Sequence, residues 1–80
     1  MTALADFSAV PEASAHDVHL WARTAERGER LCYFVGEGLH RALGAAAERV
    51  AAARELSQGG RVTLLQARAG RCLRYLAVRR

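Results

Sequence analysis

"GGRVTLLQARAGRCLRYLAVRR", residues 59–80, closes the chain with six arginines and no acidic residue. Its apolar residues fall in two runs, Arg61–Ala67 and Cys72–Val78, with the alternation of strands that bury one face. Between the runs, Ala69 and Gly70 mark a turn, the glycine supplying the positive φ that a tight hairpin needs. The runs then align so that Val62 and Leu64 meet Ala77 and Tyr75. The charge of this hairpin poses the functional question. It is a grip on nucleic acid, a clamp for an acidic protein, or the solvated edge of a small sheet.

The preceding stretch "EGLHRALGAAAERVAAARELSQGG" (37–60) changes the period to that of a helix, with Leu39, Leu43, Ala46, Val50 and Ala53 on one stripe and Gly59 and Gly60 as its end. Gly44 interrupts it, either as a small residue at a close packing point or as the corner of a helix-turn-helix. "RLCYFVG" (30–36) reads as a strand buried on both sides, with Leu31, Tyr33 and Val35 on one face and Cys32 and Phe34 on the other. "SAHD" (14–17) has the form of a capping box. It opens a helix expected over 15–27, with Val18, Trp21, Ala22 and Ala25 inward and Gly28 as its left-handed cap.

The expected order is therefore helix, strand, helix (whole or broken at Gly44), strand, strand: an α+β chain, winged-helix-like, with a three-stranded antiparallel sheet. Residues 1–13 are expected as an N-terminal arm and 14–80 as one domain. Eighty residues at 8.7 kDa leave no room for a second core. Much of the apolar content is alanine, so the core rests on Trp21, Leu31, Tyr33, Phe34, Val35, Leu39, Leu43, Val50, Val62, Leu64, Tyr75 and Leu76. No run approaches a membrane span, and "MTALADFSAVPEAS" lacks the basic start and long apolar run of a leader, so the expected setting is the cytoplasm without membrane contact. In that reducing setting Cys32 and Cys72 are expected as buried free thiols, with a disulfide as the alternative.

"AARELSQGGRVTLLQARAGRCLRYLAVRR" (52–80) resembles the helix, glycine and hairpin ending of small winged-helix-like proteins carried by phages and prophages of alphaproteobacteria. The likeness extends over roughly Leu31–Arg79. Some such proteins are anti-CRISPR inhibitors and others are transcription regulators. The resemblance implies the fold and a phage-related role in a bacterial host cell, and it carries over no catalytic or binding residue.

All twelve basic residues are arginine. Residues 1–40 hold three arginines against six acids and residues 41–80 nine against two, so the basic potential belongs to the C-terminal half. A winged-helix reader lays the outer face of its last helix in the major groove, where arginine reaches base edges and glutamate is repelled by phosphate. With Leu39, Leu43, Ala46 and Val50 inward, the outer face carries Arg41, Glu48, Ala52 and Glu55, with Arg49 and Arg54 on its flanks. Two glutamates weigh against sequence-specific reading. Arg61, Arg68, Arg71, Arg74, Arg79 and Arg80 on the hairpin still point to an anionic partner, alongside the plain alternative that they only solvate an exposed sheet. Tyr33 and Tyr75, the aromatic residues available for base stacking, are better accounted for as core.

Catalytic patterns are weaker. His16, Asp17 and His19 have no second ligand pair near them, and zinc needs four ligands or three and water, so no metal is expected. Cys32 with His40 makes no supported nucleophile pair. "GEG" (36–38) lacks the third glycine and the lysine of a phosphate loop, so no cofactor is expected either.

Leu20, Leu56 and Leu65 fit none of the inward stripes, and a three-stranded sheet leaves an unpaired edge, a combination that favours a homodimer. The function expected is that of a non-enzymatic, phage-related inhibitor, anti-CRISPR in kind. It would bind a host nucleic-acid-handling complex through its arginine surface, as a DNA mimic or DNA-site competitor, and block engagement of target DNA. The alternatives are a small winged-helix DNA-binding transcription regulator contacting nucleic acid through Arg41 and Arg49, and, more weakly, a virion assembly protein.

Overall fold

The computed structural model describes residues 4–80. Residues 1–3 of the expected arm lie outside the described residues. The elements run β1 (Leu4–Asp6), α1 (Ala15–Thr24), β2 (Arg30–Gly36), a 3₁₀ turn (Leu39–Arg41), α2 (Ala45–Gln58), β3 (Val62–Ala69) and β4 (Cys72–Arg79).

The chain is α+β, and its sheet is four-stranded and mixed, in the order β1-β2-β4-β3. The three-stranded antiparallel sheet expected from the hairpin and β2 is present as its β2-β4-β3 portion, and the addition comes from residues 4–6. There β1 runs parallel to β2, with Leu4, Ala5 and Asp6 beside Arg30, Leu31 and Cys32. A parallel neighbour needs a crossover connection, and α1 supplies it. "LAD" is too short to show alternation, so its extended form is set by the edge of β2 it lies against and not by its own residues.

Both helices cover one face of the sheet, α1 packing on α2 and α2 on β2 and β3. Asp17 reaches back to accept the Ser14 N–H at 2.7 Å, closing the start of α1. The helix ends earlier than its apolar stripe predicts, at Thr24, whose hydroxyl donates to the Leu20 carbonyl. Gly28 then serves another purpose. At φ 90 it shapes a turn closed by Glu29 N–H to Glu26 O, and its own N–H donates to Arg79 O, so it orients the entry to β2.

Gly44, at φ 57, is the corner between the 3₁₀ turn and α2. A single 3₁₀ turn precedes it, so no helix-turn-helix forms. Leu43, placed on the inward stripe by periodicity, sits on this corner and is 81 % exposed. Within α2 the expected stripe of Ala46, Val50 and Ala53 faces the core, widened by the buried Arg49, Ala52 and Leu56. Ala52 is thus inward and not on the outer face, and Leu56 belongs to the core and not to an unassigned surface. A Schellman ending closes α2, with Arg61 N–H to Leu56 O and Gly60 N–H to Ser57 O around Gly60 at φ 75.

In β2 a bulge between Cys32 and Phe34 leaves Tyr33 without a Cα partner on β4. The extra residue breaks the alternation. Leu31, Tyr33 and Phe34 all join the core beneath the helices, while Val35 turns to the opposite, uncovered face and is half-exposed. Cys32 and its cross-strand partner Leu76 also occupy that second face, buried there among their neighbours. The hairpin register differs by two residues from the expected one: Leu64 pairs with Ala77 and Val62 with Arg79, because the turn is Gly70–Arg71, flanked by the Ala69–Cys72 pair. An even shift keeps every side chain on its face, so Val62, Leu64 and Tyr75 remain on the helix side. Cys32 and Cys72 are both free, as expected; Cys32 is buried and Cys72 partly so.

Candidate functional site

The arginines expected to act together divide by what their guanidinium groups touch. Arg49 is 4 % exposed. Its Nε donates to Tyr33 O at 3.0 Å and its Nη1 to Ala13 O at 2.9 Å. The bulge that strips Tyr33 of its β4 partner thus frees the carbonyl that Arg49 takes. Placing Arg49 at a nucleic-acid surface is therefore corrected: it ties α2 to β2 and to Ala13, the residue before the N-cap of α1. Arg79 is also engaged in architecture, donating from Nε to Ala22 O at 2.7 Å and from Nη1 to the carbonyls of Arg61 and Arg80. It closes the C-terminal end of α1 onto the end of the sheet, where a cation is favoured by the helix dipole.

Arg74 lies on the uncovered face of β4, its Nη2 3.3 Å from Asp6 Oδ2 on β1. Partial burial pushes the Asp6 carboxyl up, but hydrogen bonds from the Ser8 hydroxyl and N–H, with the Arg74 and Arg49 guanidinium groups nearby, outweigh it and hold Asp6 below its ordinary 3.8. Arg41 follows the 3₁₀ turn's phase, exposed and 3.7 Å from Glu37. Arg61, Arg68 and Arg71 remain exposed, with no acidic side chain within ion-pair distance among the described residues.

These three do not form one patch. Arg68 and Arg71 sit at the hairpin tip, and Arg61 at its base. Seven residues of strand at ~3.3 Å each put the two groups about 23 Å apart. At the base Arg61 gains company that the hairpin sequence does not contain. Together with His19, Arg23, Glu55, Leu56 and Gly59 it lines a surface pocket of about 320 Å³. His19 and Arg23 are four apart on a capped helix, which puts them on one side of it. That spacing was legible, but only the packing of α1 on α2 shows that this side meets Arg61. Glu55, 3.7 Å from His19, tempers the charge there.

The outer surface of α2 exposes Ala47, Glu48, Ala51, Arg54, Glu55 and Gln58. The aromatic rings of Trp21, Tyr33, Phe34 and Tyr75 are all buried, so the exposed surface offers phosphate contacts but no stacking platform from these residues. Burial raises the Tyr33 hydroxyl above its ordinary value, so it stays protonated at neutral pH. Among the described residues, His, Cys, Asp and Glu form no group of three placed to hold a metal ion, and no helix is long and apolar enough to cross a membrane. Compared with protein-family models, curated proteins and solved structures, the chain matches none.

Proposed function

We propose that the protein works by binding and not by catalysis, as an inhibitor of the phage-carried, anti-CRISPR kind that its hairpin resembles. It would lay the β3–β4 hairpin on an anionic surface of a host nucleic-acid-handling complex and block that complex's engagement of target DNA. The observation that carries this reading is the set of exposed guanidinium groups of Arg61, Arg68 and Arg71, on one hairpin, without acidic partners among the described residues. Unpaired exposed arginines spread over one edge suit a long polyanion or an acidic protein ridge better than a compact ligand.

The sign of the charge refines the proposal. A net +4 is opposite to that of a DNA mimic, and a DNA-binding channel, itself basic, would repel the hairpin. The surfaces left for it are nucleic acid already held by the complex or an acidic patch beside the channel. The regulator alternative loses support from α2, because Arg49 is interior and the outer surface of the helix presents Glu48 and Glu55.

Fluorescence anisotropy with labelled duplexes of unrelated sequence, at about 50 and about 200 mM salt, tests the reading. Equal, salt-sensitive binding that weakens in Arg68→Ala and Arg71→Ala and persists in Arg41→Ala is the expected result. Strong preference for one duplex, lost in Arg41→Ala, would replace the inhibitor by the regulator. Absence of binding at the lower salt would exclude nucleic acid and leave an acidic protein patch as the target.

A further inference from the structure

β3 forms one border of the sheet, eight residues long, against three for β1 at the other border. Sheet borders of this length are usually blunted by proline, a bulge or an inward charge. "VTLLQARA" has neither proline nor bulge, and its one charge, Arg68, stands near an end. Leu65, in the middle, is 45 % exposed on the uncovered face. On the helix side the same border opens into an apolar groove of about 280 Å³ lined by Tyr33, Leu39, Leu64, Leu65, Gln66 and Tyr75.

The free backbone groups of this border can be identified. Arg80 N–H donates to Arg61 O, so Arg61 and the residues two, four, six and eight beyond it turn their amides toward β4. By alternation, Val62, Leu64, Gln66 and Arg68 turn theirs outward. We infer that the occupant of this border is a second copy of the chain, paired antiparallel about a two-fold axis at Leu65.

That register matches outward-facing residues only with each other, Val62 with the partner's Arg68 and Leu64 with the partner's Gln66. Leu65 meets its own copy in the close, non-hydrogen-bonded pair. Any register offset by one residue would face amides already used by β4. The same register keeps each Arg68 away from its own copy. Each Arg68 stands across from the partner's Val62 and not from an arginine. Val62 begins where α2 ends, and the last turn of α2 carries no basic residue of its own while Glu55 stands nearby. Each Arg68 is thereby brought to the C-terminal end of the partner's α2, beside the partner's Glu55 and the partner's Arg61. The axis is perpendicular to the sheet, so both helix layers lie on one side, the two apolar grooves adjoin, and one eight-stranded sheet results.

Sedimentation velocity from about 1 to about 200 µM is the test, since a single strand pairing of this size lies at the weak end of specific interfaces. The expected species at the upper concentrations has twice the 8.7 kDa chain mass. Gln66→Pro should return it to monomer, because it removes an outward N–H without touching a β4 bond, while Leu43→Ser, on a different exposed surface, should not. In a Cys72→Ser background, Leu65→Cys should crosslink to its own copy under mild oxidation, and Thr63→Cys, which faces the partner's Ala67, should not. A chain monomeric at all concentrations, a dimer indifferent to Gln66→Pro, or crosslinking through Thr63→Cys and not Leu65→Cys would each overturn the inference.

Discussion

Replacing Arg49 tests the architecture at its least expected point. A guanidinium that is 4 % exposed, with two donors on backbone carbonyls at 3.0 and 2.9 Å, makes charge-assisted bonds of roughly 1.5–3 kcal/mol each. Arg49→Ala removes both bonds and strands the Tyr33 and Ala13 carbonyls in the interior. Against that loss stands the relief of no longer burying a charge without an acid at ion-pair distance. The net expectation is a destabilisation of about 3–5 kcal/mol, a large part of what a domain of this size possesses. Arg49→Lys keeps the charge, but an ammonium lacks the fork that serves two carbonyls at once, so about 1–2 kcal/mol is lost through the bond that fails. In a chain of this length, that lowers the thermal midpoint by roughly 5–15 °C. Circular dichroism with urea and heat gives both quantities. If Arg49→Ala unfolds within about 0.5 kcal/mol of the parent, the size of an ordinary surface change, the carbonyl clamp is not holding α2 to β2.

Four further outcomes follow from individual contacts. Arg68→Ala and Arg71→Ala should each reduce the slope of log affinity against log salt by about one on duplex DNA, with the unfolding midpoint unchanged. Arg79→Ala should instead destabilise by roughly 1–3 kcal/mol, since it leaves the Ala22 carbonyl at the end of α1 without its donor; urea unfolding separates this from any binding effect. Asp6 has a depressed carboxyl, so its contribution is present above 3.8 and is lost as pH falls through the lower folded value; urea midpoints measured from pH 7 to acid should drop less steeply in Asp6→Asn than in the parent. Gly70→Ala should cost about 1–2 kcal/mol although nothing lies within 4 Å of the added methyl, because φ 64 is strained for any residue with a Cβ, and thermal unfolding reads that cost directly.

Local chemistry explains which parts of the fold could be read in advance. The start of α1 lies in Ser14 and Asp17, the end of α2 in Gly59 and Gly60, and the hairpin in its alternation around Gly70. Each signal is completed by atoms a few residues away. The misreadings have the opposite character. Leu43 follows the helical period of its neighbours, but Gly44 breaks the axis before α2 and leaves Leu43 outside, while the stripe of Ala46, Val50 and Ala53 holds and is widened by Arg49 and Ala52. Val35 follows the strand period until the bulge at Tyr33 reverses it. Residues 4–6 become a strand only because β2 has a free border. All three outcomes depend on which elements meet, and one-dimensional periodicity carries no record of that. The candidate surface is legible in the same uneven way: Arg68 and Arg71 can be read from the turn, whereas the company of Arg61 with His19 and Arg23 depends on how α1 packs on α2.

The arginines of this chain therefore cannot be added up as a single basic field. Composition counts nine in the C-terminal half, but Arg49 and Arg79 spend their donors on carbonyls, and Arg74 and Arg41 stand beside carboxylates. Guanidinium suits such interior work because one rigid fork can satisfy carbonyls from two different elements and its charge is not lost on burial. In an alanine-rich chain with few large apolar side chains, these forks supply cross-links between elements that a larger core would supply by packing. The remainder on the hairpin, Arg61 and the terminal Arg80 at one end and Arg68 and Arg71 at the other, is free to meet a partner, as is Arg54 on α2. Two sites about 23 Å apart along a strand ask for an extended anion. Pairing at Leu65 would set the tip of each hairpin beside the base of its neighbour, bringing each Arg68 close to the partner's Arg61 and making two basic clusters out of four half-sites. A linear polyanion could then bridge both ends of the seam, so assembly and binding would reinforce each other, and dimerisation should strengthen when a duplex is added at low salt.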